Sequence, residues 1–201
     1  MQIKKNDVNK TLTIFLLAHV IIWTLIPTFS NINLPLDTIE ALAWGSDLDW
    51  GYNKHPPLSA FIVEVFYQLF KNQDWAYYFL SQLFVISSFF IVWKFSEDFF
   101  QNKIYGLISV LLLEGIYFYN FTTPEFNVYV CQLPFRALTV YFCWKSLKNN
   151  DTTSWLLFGL FAALGFLSHY LFLYLIVAII IFFTILLTKQ KKFNLKYLVP
   201  A

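Results

Sequence analysis

Two acidic side chains, Asp37 and Glu40, stand three residues apart in the segment LPLDTIEALAWG. On a helix, residues at this spacing share a face, so the pair could present two carboxylates together, one of them as a general base. The same spacing fits a capping box, with Asp37 as the N-cap and Glu40 reaching back from the third helical position. The pattern alone favours the capping box at least as strongly, and both interpretations predict a rigid helix start that holds carboxylates.

A cationic pair, Lys54 and His55, comes directly before Pro56-Pro57. Proline is favoured in the first turn of a helix, so these prolines predict the start of a helix over residues 58–70. A cation beside a helix N-terminus is suited to binding phosphate. The run 58–70 is too short to cross a bilayer, which is typical of a helix lying at the membrane interface.

Two later segments bring further polar groups. In Thr123-Pro124-Glu125-Phe126-Asn127 the pattern predicts a helix start with Thr123 as its cap, and it adds Glu125 and Asn127 to the surface that carries the other carboxylates. His169 lies at a predicted turn between two apolar runs. It could contact an anionic head group or cap a helix, and the cap is the favoured interpretation.

Arg136 lies inside an apolar run, where a charge costs roughly 2.5–3.5 kcal/mol on insertion scales. The sequence predicts a buried structural pair between Arg136 and Glu114, and it predicts that His19 packs between helices. Cys131 and Cys143 are twelve residues apart, about 18 Å on one helix. That separation is too long for a disulfide.

The composition indicates which elements must position these residues. The chain has 201 residues, of which 58% are hydrophobic, 21% aromatic and only 13% charged, whereas a soluble domain has about 25% charged residues. This is typical of a polytopic membrane protein. No basic stripe for nucleic acid is present. The acidic residues are too scattered to predict a metal site, although a divalent cation is left open.

Six apolar segments predict transmembrane helices, which gives an all-α polytopic membrane protein with interfacial helices in a first external loop, 31–74. The whole chain is predicted to be the N-terminal part of a single transmembrane domain whose remainder follows. The six segments are about 11–28, 75–93, 104–121, 128–144, 154–167 and 170–188.

The distribution of lysine predicts the orientation. With the N-terminus in the cytoplasm, eleven lysines lie inside, and only Lys54 and Lys71 lie outside, as the positive-inside rule requires. Most acidic residues then face the exterior. They are Asp37, Glu40, Asp47, Asp49, Glu64, Asp74 and Glu125.

Four segments, DTIEALAW, LDWGYNKHPPLSAF, TPEFNVYVCQLPFRALTVYF and LGFLSHY, resemble in content and order those of membrane-embedded C-type glycosyltransferases. The similarity is to the bacterial branch of the dolichyl-phosphate-mannose protein mannosyltransferase family, whose relatives include lipid A aminoarabinose transferases and Rgt-type lipopolysaccharide sugar transferases. It covers about residues 34–188. The resemblance implies an enzyme of the bacterial inner membrane that moves a sugar from a polyprenyl phosphate to a lipid, glycan or protein acceptor at the outer face.

The resemblance also implies residue roles. Asp37 matches an aspartate that acts near the acceptor, and Glu40 matches a neighbouring acidic position. His55 matches a residue that contacts the donor phosphate, and His169 stands where relatives commonly have a phosphate-facing lysine. With Lys54, these histidines would steady the phosphate as charge develops on it.

The aromatic residues of the first loop complete this picture. Trp44, Trp50 and Tyr52 would offer flat apolar surface to a sugar ring, and Asp37 as the single base would give an inverting displacement. Two departures from the family pattern bear on donor or acceptor specificity: Tyr129 replaces an expected asparagine, and Arg136 replaces an expected aromatic residue.

A transporter or lipid flippase subunit is the alternative, because it could use the same polar loop as a binding vestibule. Transporters place ionisable groups near the midplane of the membrane, in broken helices. In this chain the acidic residues gather at one surface instead. Their distribution favours surface chemistry on a lipid-linked substrate.

Overall fold

The computed structural model describes residues 5–189 and contains no strand in that range, which confirms the all-α prediction. Nine α-helices and one short 3₁₀ helix make up this part of the chain. The α-helices are α1 Lys5–Ser30, α2 Leu36–Gly45, α3 Leu58–Phe70, α4 Asp74–Phe100, α5 Lys103–Glu114, α6 Val128–Cys131, α7 Leu133–Asn149, α8 Thr152–Ser168 and α9 Phe172–Lys189, and the 3₁₀ helix is Tyr117–Tyr119.

Two of the described helices are long and apolar enough to cross a membrane. They are α1 from Asp7 onward, with 24 residues, and α4, with 27 residues, against about 20 needed for the hydrocarbon core. Helices α8 and α9 are also apolar, but their apolar parts, Thr152–Ser168 and Phe172–Leu186, are shorter. The full set of six spans is therefore still a prediction.

The third predicted span differs most from the structure. Helix α5 has 12 residues and ends at Glu114, whereas the apolar pattern continues to residue 121. The Asn120 side chain donates a hydrogen bond to the Glu114 carbonyl at 2.6 Å, so it satisfies one of the carbonyls that a helix end leaves unpaired. The apolar pattern does not reveal this stop, because the residues beyond it remain hydrophobic.

Helix α4 lies at the centre of the bundle and packs against α1, α5 and α7. Its buried face carries Leu80, Val85 and Phe89 with 1% exposure or less. Helix α5 approaches closely at Gly106, where an added Cβ would lie 2.6 Å from the Trp93 ring. The core is thus built on the longest of the described helices, and the shorter elements that carry the site pack at its end.

Two predicted helix caps are wrong. The N-cap of α2 is Pro35, with no side-chain cap hydrogen bond, so Asp37 is the second helical residue and the capping box does not form. No helix starts at Thr123, and the helix after this segment begins at Val128 with Asn127 as its cap. Helix α3, in contrast, has the predicted bounds, Leu58–Phe70.

The predicted Glu114–Arg136 pair is also wrong. Glu114 Oε2 lies 2.8 Å from His19 Nδ1, and His19 Nε2 lies 3.0 Å from Gln82 Oε1. Helix α5 packs on α1 and α4, so the Glu114 carboxylate faces His19 and no ion pair joins it to α7. His19 is 3% exposed, which agrees with its predicted packing role. Cys131 and Cys143 are free and buried, as predicted.

Candidate functional site

The segment around Glu125 docks on the first turn of α2. The Asp37 backbone N–H donates to Glu125 Oε1 at 3.0 Å, and the Thr38 hydroxyl donates to the Phe126 carbonyl at 3.1 Å. The first N–H groups of a helix have no intrahelical acceptor, and a carboxylate there is favoured by the helix dipole. Glu125 therefore caps α2 from 88 residues away in sequence.

Asn127 connects this cap to the Asp37 side chain. Its Oδ1 accepts hydrogen bonds from the backbone N–H groups of Tyr129 and Val130, at 3.0 and 3.1 Å, at the start of α6. With its oxygen fixed in this way, its Nδ2 faces Asp37 Oδ2 at 3.5 Å. Three of the predicted site residues, Asp37, Glu125 and Asn127, thus form one cluster.

The Lys54 ammonium forms an ion pair with Glu40, with Nζ 2.8 Å from Oε1. This hydrogen bond and the charge of Glu40 raise the pKa of Lys54, and both side chains reach solvent. The pair joins the first-loop segment 46–57 to α2. It also means that neither the Glu40 carboxylate nor the Lys54 cation is free of a partner.

The two histidines that the sequence places 114 residues apart lie side by side, with ring centroids 5.7 Å apart. Burial lowers the pKa of both rings. The charges of Glu40 and Asp37 oppose this effect at His55, whereas His55, when protonated, and the charge of Arg136 add to it at His169. Because the ordinary value is about 6.5, both rings are neutral at pH 7.

One hydrogen bond assigns the tautomer of His169. Its Nδ1 accepts from the Leu171 backbone N–H at 3.2 Å, so in the neutral ring the proton is on Nε2. His169 is also the C-cap residue of α8, in agreement with the favoured interpretation of the sequence. The neutral ring can therefore donate one hydrogen bond to a ligand and carries no charge.

The aromatic residues of the first loop separate into two groups. Trp44 and Tyr52 stack with centroids 5.1 Å apart and an interplanar angle of 10°, and the Tyr52 hydroxyl donates to the Trp44 carbonyl at 2.7 Å. Trp50 instead packs edge-on against Phe61 and is 84% exposed. The structure therefore brings Trp44 and Tyr52, but not Trp50, to the cluster.

A small cavity of about 10 Å³, which we call the Asp37 cavity, lies at the centre of this arrangement. Its lining consists of Asp37, Glu40, Ala41, Trp44, His55, Ser59, Asn127 and Val128. Four other predicted residues do not line the cavity but contact residues that do. Glu125 contacts Asp37, Lys54 contacts Glu40, Tyr52 contacts Trp44 and His169 contacts His55. The catalytic and binding roles of all of them stay predictions.

The sequence did not place two residues at this site. Ser59 lines the Asp37 cavity, and its buried hydroxyl has no hydrogen-bond partner within residues 5–189. Tyr129 lies against His169, with ring centroids 4.8 Å apart. The available signals were a hydroxyl in the first turn after Pro56-Pro57 and a tyrosine where the family pattern has an amide. Within the described residues, no group of three His, Cys, Asp or Glu side chains is placed to hold a metal ion.

A membrane helix bundle with carboxylates and imidazoles gathered at one end fits a membrane-integral glycosyltransferase of C type. The family model described as dolichyl-phosphate-mannose-protein mannosyltransferase matches residues 54–200, which is more than half of the chain. The chain belongs to this family, whose members use polyprenyl-phosphate-linked sugar donors with lipid or protein acceptors. No curated protein and no solved structure matches the chain.

The matched range divides the site. It contains Lys54, His55, Glu125, Asn127 and His169. The first-loop residues Asp37, Glu40, Trp44, Trp50 and Tyr52 lie before it, and the structure alone places most of them beside the matched residues.

Proposed function

We propose that this protein transfers a hexosyl or pentosyl unit from a polyprenyl-phosphate donor to a lipid, glycan or protein acceptor, with inversion at the anomeric carbon. We place it in the bacterial inner membrane with six spans in residues 1–201, its N-terminus in the cytoplasm and loop 31–74 outside. The observation that carries the proposal is the Asp37 carboxylate in a cavity shared with His55 and Asn127.

Asp37 is the best-placed base among the three carboxylates of the site. Glu40 is paired with Lys54. Glu125 caps α2 and does not line the cavity, and burial raises its pKa, while its hydrogen bond from Asp37 opposes that shift. Asp37 lines the cavity and has its Oδ2 only at the limit of a hydrogen bond, 3.5 Å from Asn127 Nδ2. Its carboxylate is therefore available to an acceptor hydroxyl.

The reaction follows from this assignment. Asp37 takes the proton of the acceptor hydroxyl as the oxygen attacks the anomeric carbon on the face opposite the phosphate. The bond between that carbon and the phosphate oxygen breaks, and its electron pair leaves with the polyprenyl phosphate. His169 Nε2–H and the His55 ring donate hydrogen bonds to the departing phosphate, which stabilises the developing charge. A single displacement of this kind inverts the anomeric configuration.

The proposed base predicts a large and specific loss of activity. In the protein reconstituted in liposomes with polyprenyl-phosphate sugars and an acceptor lipid extract, Asp37→Asn should slow release of polyprenyl phosphate by roughly 10²–10⁴-fold. Asp47→Asn is the matched control, since Asp47 is exposed on the same loop and does not line the cavity. It should release polyprenyl phosphate at the wild-type rate.

Two outcomes would contradict the proposal. Release that Asp37→Asn leaves unchanged would remove Asp37 from catalysis. No release from any donor by a folded protein would favour the transporter or flippase alternative. Assignment of the product anomer by NMR tests the stereochemistry separately, and retention would exclude a single displacement.

A further inference from the structure

A second, much larger cavity lies between α4, α7 and α9, with a volume of about 780 Å³. Ligand pockets commonly measure about 300–1,000 Å³. Its walls are mainly apolar and include Val92, Phe95 and Leu133. We call it the Arg136 cavity, because Arg136 also lines it. Its size and lining suit an apolar ligand that carries one anionic group.

Arg136 is the only arginine among the 201 residues. Within residues 5–189 no carboxylate lies within 4 Å of it, and its guanidinium makes no hydrogen bond. Arg136 is an exposed residue, so its guanidinium is accessible to a ligand at this cavity. A guanidinium also presents several N–H donors in a fixed plane, which matches two oxygens of a phosphate. Arg136 is therefore free to pair with a bound anion.

Gln132 gives an independent indication of a ligand. Its side chain lines the same cavity and is 3% exposed, yet its Oε1 has no hydrogen-bond partner within the described residues. Buried polar atoms are nearly always paired. The carboxamide can also turn over to present its amino group. An unpaired amide one helical turn before Arg136 fits a polar ligand group at this end of the cavity.

Three rings in contact link the lining of the Arg136 cavity to the lining of the Asp37 cavity. Tyr129 lines the Arg136 cavity and contacts His169, with centroids 4.8 Å apart. His169 contacts His55, with centroids 5.7 Å apart, and His55 lines the Asp37 cavity. The positive charge of Arg136 also acts on His169, whose pKa is lowered by burial first, then by His55 and Arg136. A ligand anchored at Arg136 would therefore lie next to the imidazole pair.

We propose that the Arg136 cavity binds the isoprenoid phosphate end of the donor, with the phosphate on the Arg136 guanidinium and the first isoprene units against α4 and α7. This inference rests on the proposed function and deepens it. Lys54 is neutralised by Glu40, and the two histidines are neutral at pH 7. Arg136 supplies the permanent positive charge that these three residues do not provide. The sequence pattern had predicted only that Arg136 forms a buried structural pair with Glu114.

The test uses the protein in lipid nanodiscs, with farnesyl phosphate as the anionic probe and farnesol as its uncharged match. Wild type should bind farnesyl phosphate more tightly than farnesol. Arg136→Gln should weaken farnesyl phosphate binding by roughly 10- to 100-fold, as expected for a lost charged hydrogen-bond pair, and leave farnesol binding unchanged. Arg136→Lys should retain part of the affinity, because it keeps the charge but not the planar donors.

A chemical test works on the wild-type protein and so does not depend on a variant that folds. Phenylglyoxal should modify Arg136, and farnesyl phosphate should protect it while farnesol does not, as peptide mass spectrometry would show. Equal binding of farnesyl phosphate by wild type and folded Arg136→Gln, or no protection, would overturn the proposal. Equal protection by phosphatidylglycerol or by inorganic phosphate would overturn the isoprenoid assignment in favour of a general anion site.

Failure of this inference can be told from failure of the proposed function. Asp37→Asn should bind farnesyl phosphate as wild type does, because Asp37 lines the other cavity. Binding that depends on Arg136 without any sugar transfer would contradict the proposed function alone. Transfer that depends on Asp37 but not on Arg136 would contradict this inference alone.

Discussion

At the residue scale, the site depends on which charges are already paired. Lys54 has its partner in Glu40, and burial keeps His55 and His169 neutral at pH 7. These groups can donate hydrogen bonds to a leaving phosphate but provide little net charge. Asp37 and Arg136, which have no ion-pair partner within residues 5–189, are the residues for which we predict the largest functional effects.

Glu125 is predicted to act as a positioning residue that holds Asp37. Glu125→Ala removes the cap on α2 and should lower the free energy of unfolding by roughly 0.5–2 kcal/mol and reduce kcat several-fold at unchanged donor KM. Glu125→Gln keeps an oxygen acceptor for the Asp37 N–H, so it should retain most of the wild-type stability and most of the wild-type kcat. Thermal unfolding and steady-state kinetics measure the two effects. Equal loss in both variants with a raised acceptor KM would make Glu125 a substrate contact instead.

At the element scale, short helices hold the site where long helices end. Gly45 lets α2 approach α3, because an added Cβ would lie 2.9 Å from the Ala60 carbonyl oxygen. Segment 123–127 then closes on the start of α2 through Glu125 and Phe126. The bounds of α3 could be predicted from the sequence because proline and apolar periodicity are local signals. The cap of α2 could not, because its acceptor, Glu125, comes from a distant segment.

The polar cluster of His19, Gln82 and Glu114 joins α1, α4 and α5, and its loss should weaken their packing. His19→Leu leaves the Gln82 and Glu114 side chains without a partner and should lower the free energy of unfolding by roughly 1–3 kcal/mol. Replacing all three residues by leucine should recover most of that loss, since an apolar cluster of similar size leaves no unpaired group. Thermal unfolding in detergent compares the variants. A triple variant no more stable than His19→Leu would argue against a pairing effect.

At the scale of the whole molecule, the fold places the two cavities next to each other. The Asp37 cavity is built from α2, α3 and the start of α6, whereas the Arg136 cavity is built mainly from α4, α7 and α9. Their linings are linked by the ring contacts of Tyr129, His169 and His55. In the proposed orientation, a donor could keep its chain among the helices while its sugar reaches the external loop.

That orientation predicts which surface residues can be labelled from outside the cell. A cysteine at Asp47→Cys should react with a membrane-impermeant maleimide in intact spheroplasts. A cysteine at Lys148→Cys should react only after permeabilisation, since Lys148 lies in a predicted cytoplasmic loop. Cys131 and Cys143 are buried and should give little background. Labelling of Lys148→Cys, but not Asp47→Cys, from outside would reverse the proposed topology.

The amino-acid sequence was enough to predict the family of this protein, through the resemblance of four segments, and most of its helices. Composition and apolar periodicity depend on near neighbours, so they predict the all-α architecture, α3 and the isolated cysteines. The tertiary structure alone decided the pairings. It placed Glu114 on His19 instead of Arg136, Glu125 on the start of α2, and His55 beside His169. These contacts join residues far apart in sequence. Which side chains meet is determined by how the helices pack, and a local sequence pattern does not predict that packing.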